Sequence, residues 1–153
     1  MKTYKIYYHS PVGIVEIIST LEYVLSITFV EREKKALEVP DILKEACNQL
    51  DEYFQGKRKT FDLNLKVEGT TFQKRVWNAL MKINYGEVVS YKEVAKIIGN
   101  EKAVRAVGNA NNKNKIPIII PCHRVIGSNG KLIGYAGGIW RKEWLIKHEK
   151  MYQ

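Results

Sequence analysis

Cysteine is scarce in this 153-residue chain, with Cys47 and Cys122 its only two. Two thiols cannot build a disulfide framework or a four-cysteine zinc site. Histidine is nearly as rare, at three. Cys47, His9 and the acids near them form no recognisable ligand set, so no metal is expected. No apolar run approaches the roughly 18 residues that a membrane span needs, which leaves no membrane partner to expect. Met1-Lys2-Thr3-Tyr4-Lys5 leads into an alternating segment rather than a signal-peptide core, and a cytoplasmic protein is expected. Acidic residues are few where basic ones are many. Residues 71–153 hold 15 Lys and Arg against five Asp and Glu, whereas residues 1–70 hold 10 against 11. The net charge of +9 therefore belongs to the C-terminal half. Such asymmetry points to a polyanionic partner, nucleic acid before anionic membrane. A soluble lysine-rich surface with no such partner would give the same count.

What is present is ordinary globular composition, 45% hydrophobic and 27% charged. Strands come first and helices later, an α+β order. Tyr4–His9, Ile14–Ile18 and Val24–Phe29 read as three strands of a small antiparallel sheet, with a turn at Ser10-Pro11-Val12-Gly13. A helix follows between Pro40-Asp41 and Gly56, with Leu43, Ala46, Cys47, Leu50, Tyr53 and Phe54 at helical spacing. Cys47 is expected to be a core thiol. Residues 1–56 form a support domain, 57–69 a connector that includes Lys57-Arg58-Lys59, and 70–153 a second domain.

The second domain opens on Thr70-x-x-Gln73, a capping box. Ser90-x-x-Glu93 is another, ahead of a short helix that Gly99 ends, and Asn100 is expected to cap a third helix from Glu101 to about Asn109. Two short helices about a tight glycine turn make a helix-turn-helix pattern. The third helix is unusual: Ala103, Val104, Ala106, Val107 and Gly108 are small, and Arg105 is the one long probe. Major-groove readers carry several long polar side chains, so this helix suits close approach to a shallow groove.

Ile116-Pro117-Ile118-Ile119-Ile120-Pro121 is a stiff apolar run that delivers Cys122 and His123 together. A hairpin is expected next, with Arg124–Ile126 and Lys131–Ile133 about the Asn129-Gly130 turn. Gly134–Gly138 follows as a flexible loop, and a last helix carries Trp140, Trp144, Leu145, His148 and Glu149. A nucleophilic thiol needs a base, and neighbouring side chains seldom point to one place, so a water would have to bridge Cys122 and His123. His148 and Glu149 are candidates to orient the imidazole. The plain alternative is a structural cysteine beside a histidine.

Pro121-Cys122-His123-Arg124-Val125 resembles the active-site motif of the O6-alkylguanine-DNA alkyltransferases, the methylated-DNA–protein-cysteine S-methyltransferase family. The likeness extends to Tyr85-Gly86-Glu87-Val88-Val89-Ser90-Tyr91, Arg105-Ala106-Val107-Gly108, Asn114, Tyr135-x-Gly137-Gly138 and Lys142-x-x-Leu145-x-x-x-Glu149, in order. It covers residues 70–150 closely and the first half in length and strand content. The resemblance implies a ribonuclease-H-like N-terminal domain and a winged-helix-like C-terminal one. It implies direct-reversal repair: minor-groove binding, flipping of the damaged nucleotide, and irreversible single-turnover transfer of the alkyl group to Cys122. The partner would be double-stranded DNA containing O6-alkylguanine, with O4-alkylthymine a weaker substrate. The protein would act as a monomer without cofactor.

The same resemblance distributes roles. Cys122 attacks, His123 acts through water as base, Glu149 orients it, Asn114 orders the hinge, and Tyr91 rotates the phosphate and can give a proton to the leaving guanine. Arg105 fills the vacated stack, offsetting an unstacking cost of about a few kcal/mol. Ala103, Ala106, Gly108, Ser90 and Arg124 complete the DNA contacts. Pro117, Val125, Tyr135, Ala136, Gly137 and Gly138 line the pocket. Lys115, Val104, Asn109 and Ala136 depart from residues common in the family, which touches hinge rigidity, groove approach and the contact to O6. Two other readings are a non-catalytic sensor of alkylated DNA, which would lack the reactive cysteine, and a helix-turn-helix transcription factor, which would leave the pocket residues unexplained.

Overall fold

The structure, a computed structural model, describes all 153 residues in two units, Met1–Val67 and Glu68–Gln153. In the first, β1 (Tyr4–Ser10), β2 (Gly13–Ser19) and β3 (Val24–Val30) form an antiparallel sheet in the order β1-β2-β3. Ser10 closes the first turn, its hydroxyl donating to the Gly13 carbonyl at 2.7 Å and accepting from the Val12 N–H at 3.1 Å. The register places Ile17 opposite Ile6 and Ile27. The period of two then sends Val15 and Ile17 inward with Ile27 opposite, and a register shift at Ile18/Ser19, with Leu25 as the extra residue, turns Val24 inward as well. α1 (Asp41–Phe54) packs on this sheet through Leu43, Ala46, Leu50 and Tyr53.

Cys47 is half-buried at the margin of that stripe, not in the core as expected. It sits one position past Ala46, where the helix surface turns outward. Burial, and then the nearby Asp51 charge, push its thiol up to about 11, which keeps it in the thiol form at neutral pH. The boundary between the units falls at Val67/Glu68, inside the stretch read as a connector. Residues before it are tied to the sheet and to α1. Leu65 bridges Val24 in parallel, and the buried Gln49 amide holds Asp62 through both its backbone N–H (2.8 Å) and carbonyl (3.0 Å).

The second unit is helical. α2 (Thr71–Leu80) and α3 (Tyr91–Ile97) begin at Thr70 and Ser90, and both capping boxes form in full. Gly99 ends the short-helix region in the left-handed conformation at φ +83°. α4 (Val104–Asn112) starts later than Asn100 suggests. The Ala103 N–H bonds the Asn100 carbonyl at 3.0 Å, so residues 100–103 form the turn and Asn100 makes no cap. α2, α3 and α4 pack together. The Trp77 indole donates to the Ala110 carbonyl at 2.9 Å, and the Arg75 guanidinium caps the Ile98 carbonyl.

The expected hairpin after the cysteine does not form. Its turn is present, with Gly127 N–H bonded to the Lys131 carbonyl at 2.9 Å. Lys131–Ile133, however, is not a strand. β5 (Val125–Ile126) pairs instead in parallel with β4 (Val89–Ser90). The Ile133 carbonyl is taken by side chains, Tyr91 and Lys142, which replaces a ladder bond. α5 (Ile139–Met151) closes the unit. No helix is long and apolar enough to cross a membrane.

Candidate active site and nucleic-acid interface

The residues from Ile116 to Pro121 form a tight loop rather than a strand. Asn114 fixes it from within, its amide N–H donating to the Ile120 carbonyl at 2.8 Å and its carbonyl accepting from the Ile116 N–H at 3.0 Å. Ile118, fully enclosed, has φ +75°, a left-handed conformation that costs a β-branched residue about 1–3 kcal/mol. The buried isoleucines on either side hold it there. Cys122–Arg124 then make a single 3-10 turn, and all three side chains are buried.

Cys122 is 5% exposed. Burial pushes its thiol up to about 11, against the opposing pull of the Asn114 amide and the Lys142 charge. At neutral pH the sulfur is therefore a thiol. His123, the next residue, is the candidate base. The imidazole is wholly buried, and its Nε2 lies 2.6 Å from Glu149 Oε2. Its Nδ1 makes no hydrogen bond within the chain. Burial lowers the His123 pKa despite the Glu149 charge, so the ring is neutral. A carboxylate can only accept, so Nε2 carries the proton and Nδ1 keeps its lone pair.

Glu149 is the hub. It accepts from Arg124 Nε at 2.7 Å, Arg124 Nη2 at 3.1 Å and the Gly86 N–H at 3.2 Å, besides His123. Burial alone would raise its pKa. The hydrogen bonds and charges of His123 and Arg124 outweigh burial and hold the carboxyl well below the usual range. Arg124, expected at the DNA surface, is therefore an internal residue. It clamps Glu149, donates to the Ile83 carbonyl at 2.7 Å and lies 5.7 Å from the Tyr85 ring centroid. Its fork geometry matches the carboxylate, which explains why it turns inward.

Tyr91, at the first position of α3, faces the same region. Its hydroxyl donates to the Ile133 carbonyl at 2.8 Å and accepts from Lys142 Nζ at 3.2 Å. Burial, and then the Cys122 charge, push the phenol up to about 12, so it remains a proton donor. Lys142 is fully enclosed, and burial drops its ammonium to about 8. Lys142 was assigned no role from sequence. The signal was there: positions 142, 145 and 149 share one face of α5, and a lysine on a core face needs a reason.

The remaining expected residues divide by burial. Val125 and Tyr135 are enclosed; Pro117, Gly137 and Gly138 are half-buried; Ala136 is exposed. Gly138, at φ +94°, makes the turn into α5. On α4, Arg105 and Ala106 point to solvent and Ala103 is half-exposed. Gly108 faces inward instead, where an added Cβ would lie 3.9 Å from the Tyr91 ring. An added methyl would make ordinary contact there, so the packing does not itself require glycine. Ser90 caps α3 with its hydroxyl oxygen accepting from the Glu93 N–H. Lys92, Lys96, Lys102, Lys113 and Lys115 are all exposed, on α3 and in the segments on either side of α4.

A helix-turn-helix unit that encloses a cysteine backed by a buried histidine–glutamate pair defines a DNA-directed cysteine protein. Residues 71–151 match the family model for the DNA-binding domain of 6-O-methylguanine DNA methyltransferase, and residues 3–67 that for its ribonuclease-like domain. The chain is 52% identical over 149 residues to a methylated-DNA–protein-cysteine methyltransferase of Methanosarcina acetivorans, spanning 93% of this chain and 95% of the relative. The crystal structure of the Mycobacterium tuberculosis O6-methylguanine methyltransferase superposes with a TM-score of 0.90 at 41% identity, covering 99% of this chain and 95% of that one. A second M. tuberculosis structure, in complex with DNA, gives 0.88 at 43% identity over 98% and 93% of the two chains. The chain belongs to the 6-O-methylguanine DNA methyltransferase family.

Proposed function

We propose that this protein repairs alkylated DNA by moving the alkyl group from O6 of guanine onto Cys122, once per molecule. The observation that carries this reading is the buried relay: Cys122 shares one enclosed turn with His123, whose Nε2 lies 2.6 Å from Glu149 Oε2. Nδ1 of His123 takes the thiol proton through a water molecule. The sulfur attacks the alkyl carbon in line, the S–C bond forms, the C–O6 bond breaks, and its electron pair passes to the guanine. Tyr91, held as a neutral phenol, gives a hydrogen bond or proton to that developing anion. Water does not readily hydrolyse the thioether product, so the protein is spent. No group beyond these side chains is required.

The DNA-binding face is α4 with its basic flanks. Arg105 enters the duplex where the target nucleotide leaves, and Ala103 and Ala106 allow close approach to the minor groove. The flipped base enters between Tyr91, Val125 and the Tyr135–Gly138 turn. O4-alkylthymine is a weaker substrate, and the monomer acts alone. The direct test is intact mass after incubation with an O6-methylguanine oligonucleotide. One methylene per molecule, mapped to Cys122 and absent in Cys122→Ser, is expected. Binding without any mass gain would leave only a sensor of alkylated DNA.

A further inference from the structure

Asn111 lies on α4, one turn before Asn114, and is 2% exposed. Its Nδ2 donates to the Cys122 carbonyl at 3.2 Å. That carbonyl can only accept, so the orientation of the amide is fixed by its partner. The other end of the amide, Oδ1, is buried and makes no hydrogen bond within the chain. A buried acceptor left without a donor is destabilising, and such atoms are rare enough to call for a reason. The amide also stands next to the Tyr91 phenol, where it opposes the effect of burial on that group. Asn111 thus joins the DNA-facing helix to both the nucleophile's backbone and Tyr91, with one acceptor still to satisfy.

The chemistry of the base supplies a donor. Alkylation at O6 leaves N1 of guanine without its proton, so the exocyclic 2-amino group becomes the only N–H donor on that edge. An O4-alkylated thymine has no N–H donor there at all. We propose that Asn111 is a specificity-determining residue, its Oδ1 accepting an N–H from the 2-amino group of the flipped guanine while its Nδ2 holds the Cys122 carbonyl. This rests on the reading of Cys122 as the acceptor of an alkyl group from guanine.

The test compares single-turnover methylation of Cys122, read by intact mass, on duplexes carrying O6-methylguanine or O6-methylhypoxanthine, which lacks only the 2-amino group. The wild type methylates faster from O6-methylguanine. Asn111→Leu narrows that preference about tenfold, by slowing the guanine reaction more than the hypoxanthine one. Asn111→Asp, which keeps an acceptor oxygen, retains the preference. Equal wild-type rates on the two duplexes overturn the proposal without any variant, which covers the case of a leucine variant that does not fold. Equal slowing of both reactions by Asn111→Leu, or no slowing, also overturns it, since a merely structural asparagine would act that way. A wild type that gains no mass from either duplex overturns the alkyl-transfer reading itself.

Discussion

At the residue scale, the site separates two protonation states that must not be confused. Cys122 rests as a thiol because it is buried, and His123 rests neutral for the same reason. Glu149 is charged, because Arg124 and His123 surround it, and the Arg124 guanidinium is its counter-charge. Both shifts make acid destabilising. Burial lowers the His123 pKa, so below about pH 6.5 the unfolded chain takes a proton that the folded one refuses. Glu149 is held well below its unfolded value, so its contribution is complete above about pH 4.3 and is lost as pH falls further. The melting temperature should decline below about pH 6.5 and more steeply below about 4.3. A melting temperature constant from pH 7 to 4 would contradict the assignment. Glu149→Gln leaves Arg124 buried without its counter-charge, a loss of about 3–5 kcal/mol in denaturant titration. It should also slow methyl transfer by roughly 100-fold or more, because the imidazole loses the group that fixes its tautomer. The sequence grouped Cys122, His123 and Glu149 through a resemblance carried by their order, and the structure brings His123 and Glu149 within 2.6 Å. Arg124 was misplaced because a basic residue in a basic half looks like a DNA contact, and only the fold reveals the carboxylate waiting for it.

At the scale of elements, local chemistry set most boundaries. Thr70 and Ser90 begin their helices because their hydroxyls satisfy orphan N–H groups, and both were readable from the S/T-x-x-E/Q spacing. Ser90→Ala should lower the stability of the second unit by about 1 kcal/mol, measured as a shift in denaturant midpoint with unchanged slope. Asn100 misled because the turn after Gly99 uses its backbone carbonyl, not its side chain. The hairpin beyond Cys122 failed for a tertiary reason: the Ile133 carbonyl serves Tyr91 and Lys142. α4 presents Arg105 and Ala106 to solvent while Val107, Ala110 and Asn111 face inward. Arg105→Ala should therefore slow repair of duplex DNA far more than reaction with free benzylguanine. Equal losses on the two substrates would refute the role of Arg105 in the duplex.

For the whole molecule, the scarcity of acidic residues in the second half acquires a location. The exposed lysines at 92, 96, 102, 113 and 115 lie on or next to the helix-turn-helix, and four of that half's five acids, Glu87, Glu93, Glu101 and Glu143, lie outside the enclosed site. The acid that is enclosed, Glu149, is neutralised internally. Binding should then fall linearly in log–log with salt, at about −0.9 per phosphate neutralised, with little preference among undamaged sequences. Strong selectivity for one undamaged sequence would favour a transcription factor. The first unit carries no such excess of charge, and its three strands and α1 were legible from alternation and helical spacing, whereas the half-buried place of Cys47 and the register shift opposite Ile18/Ser19 were not. The central claim is that Cys122 is consumed. Protein incubated with a large excess of O6-methylguanine duplex should repair one lesion per molecule and stop, with every Cys122 carrying one methyl group. Continued repair beyond one equivalent, or repair with Cys122 unmodified, would contradict it.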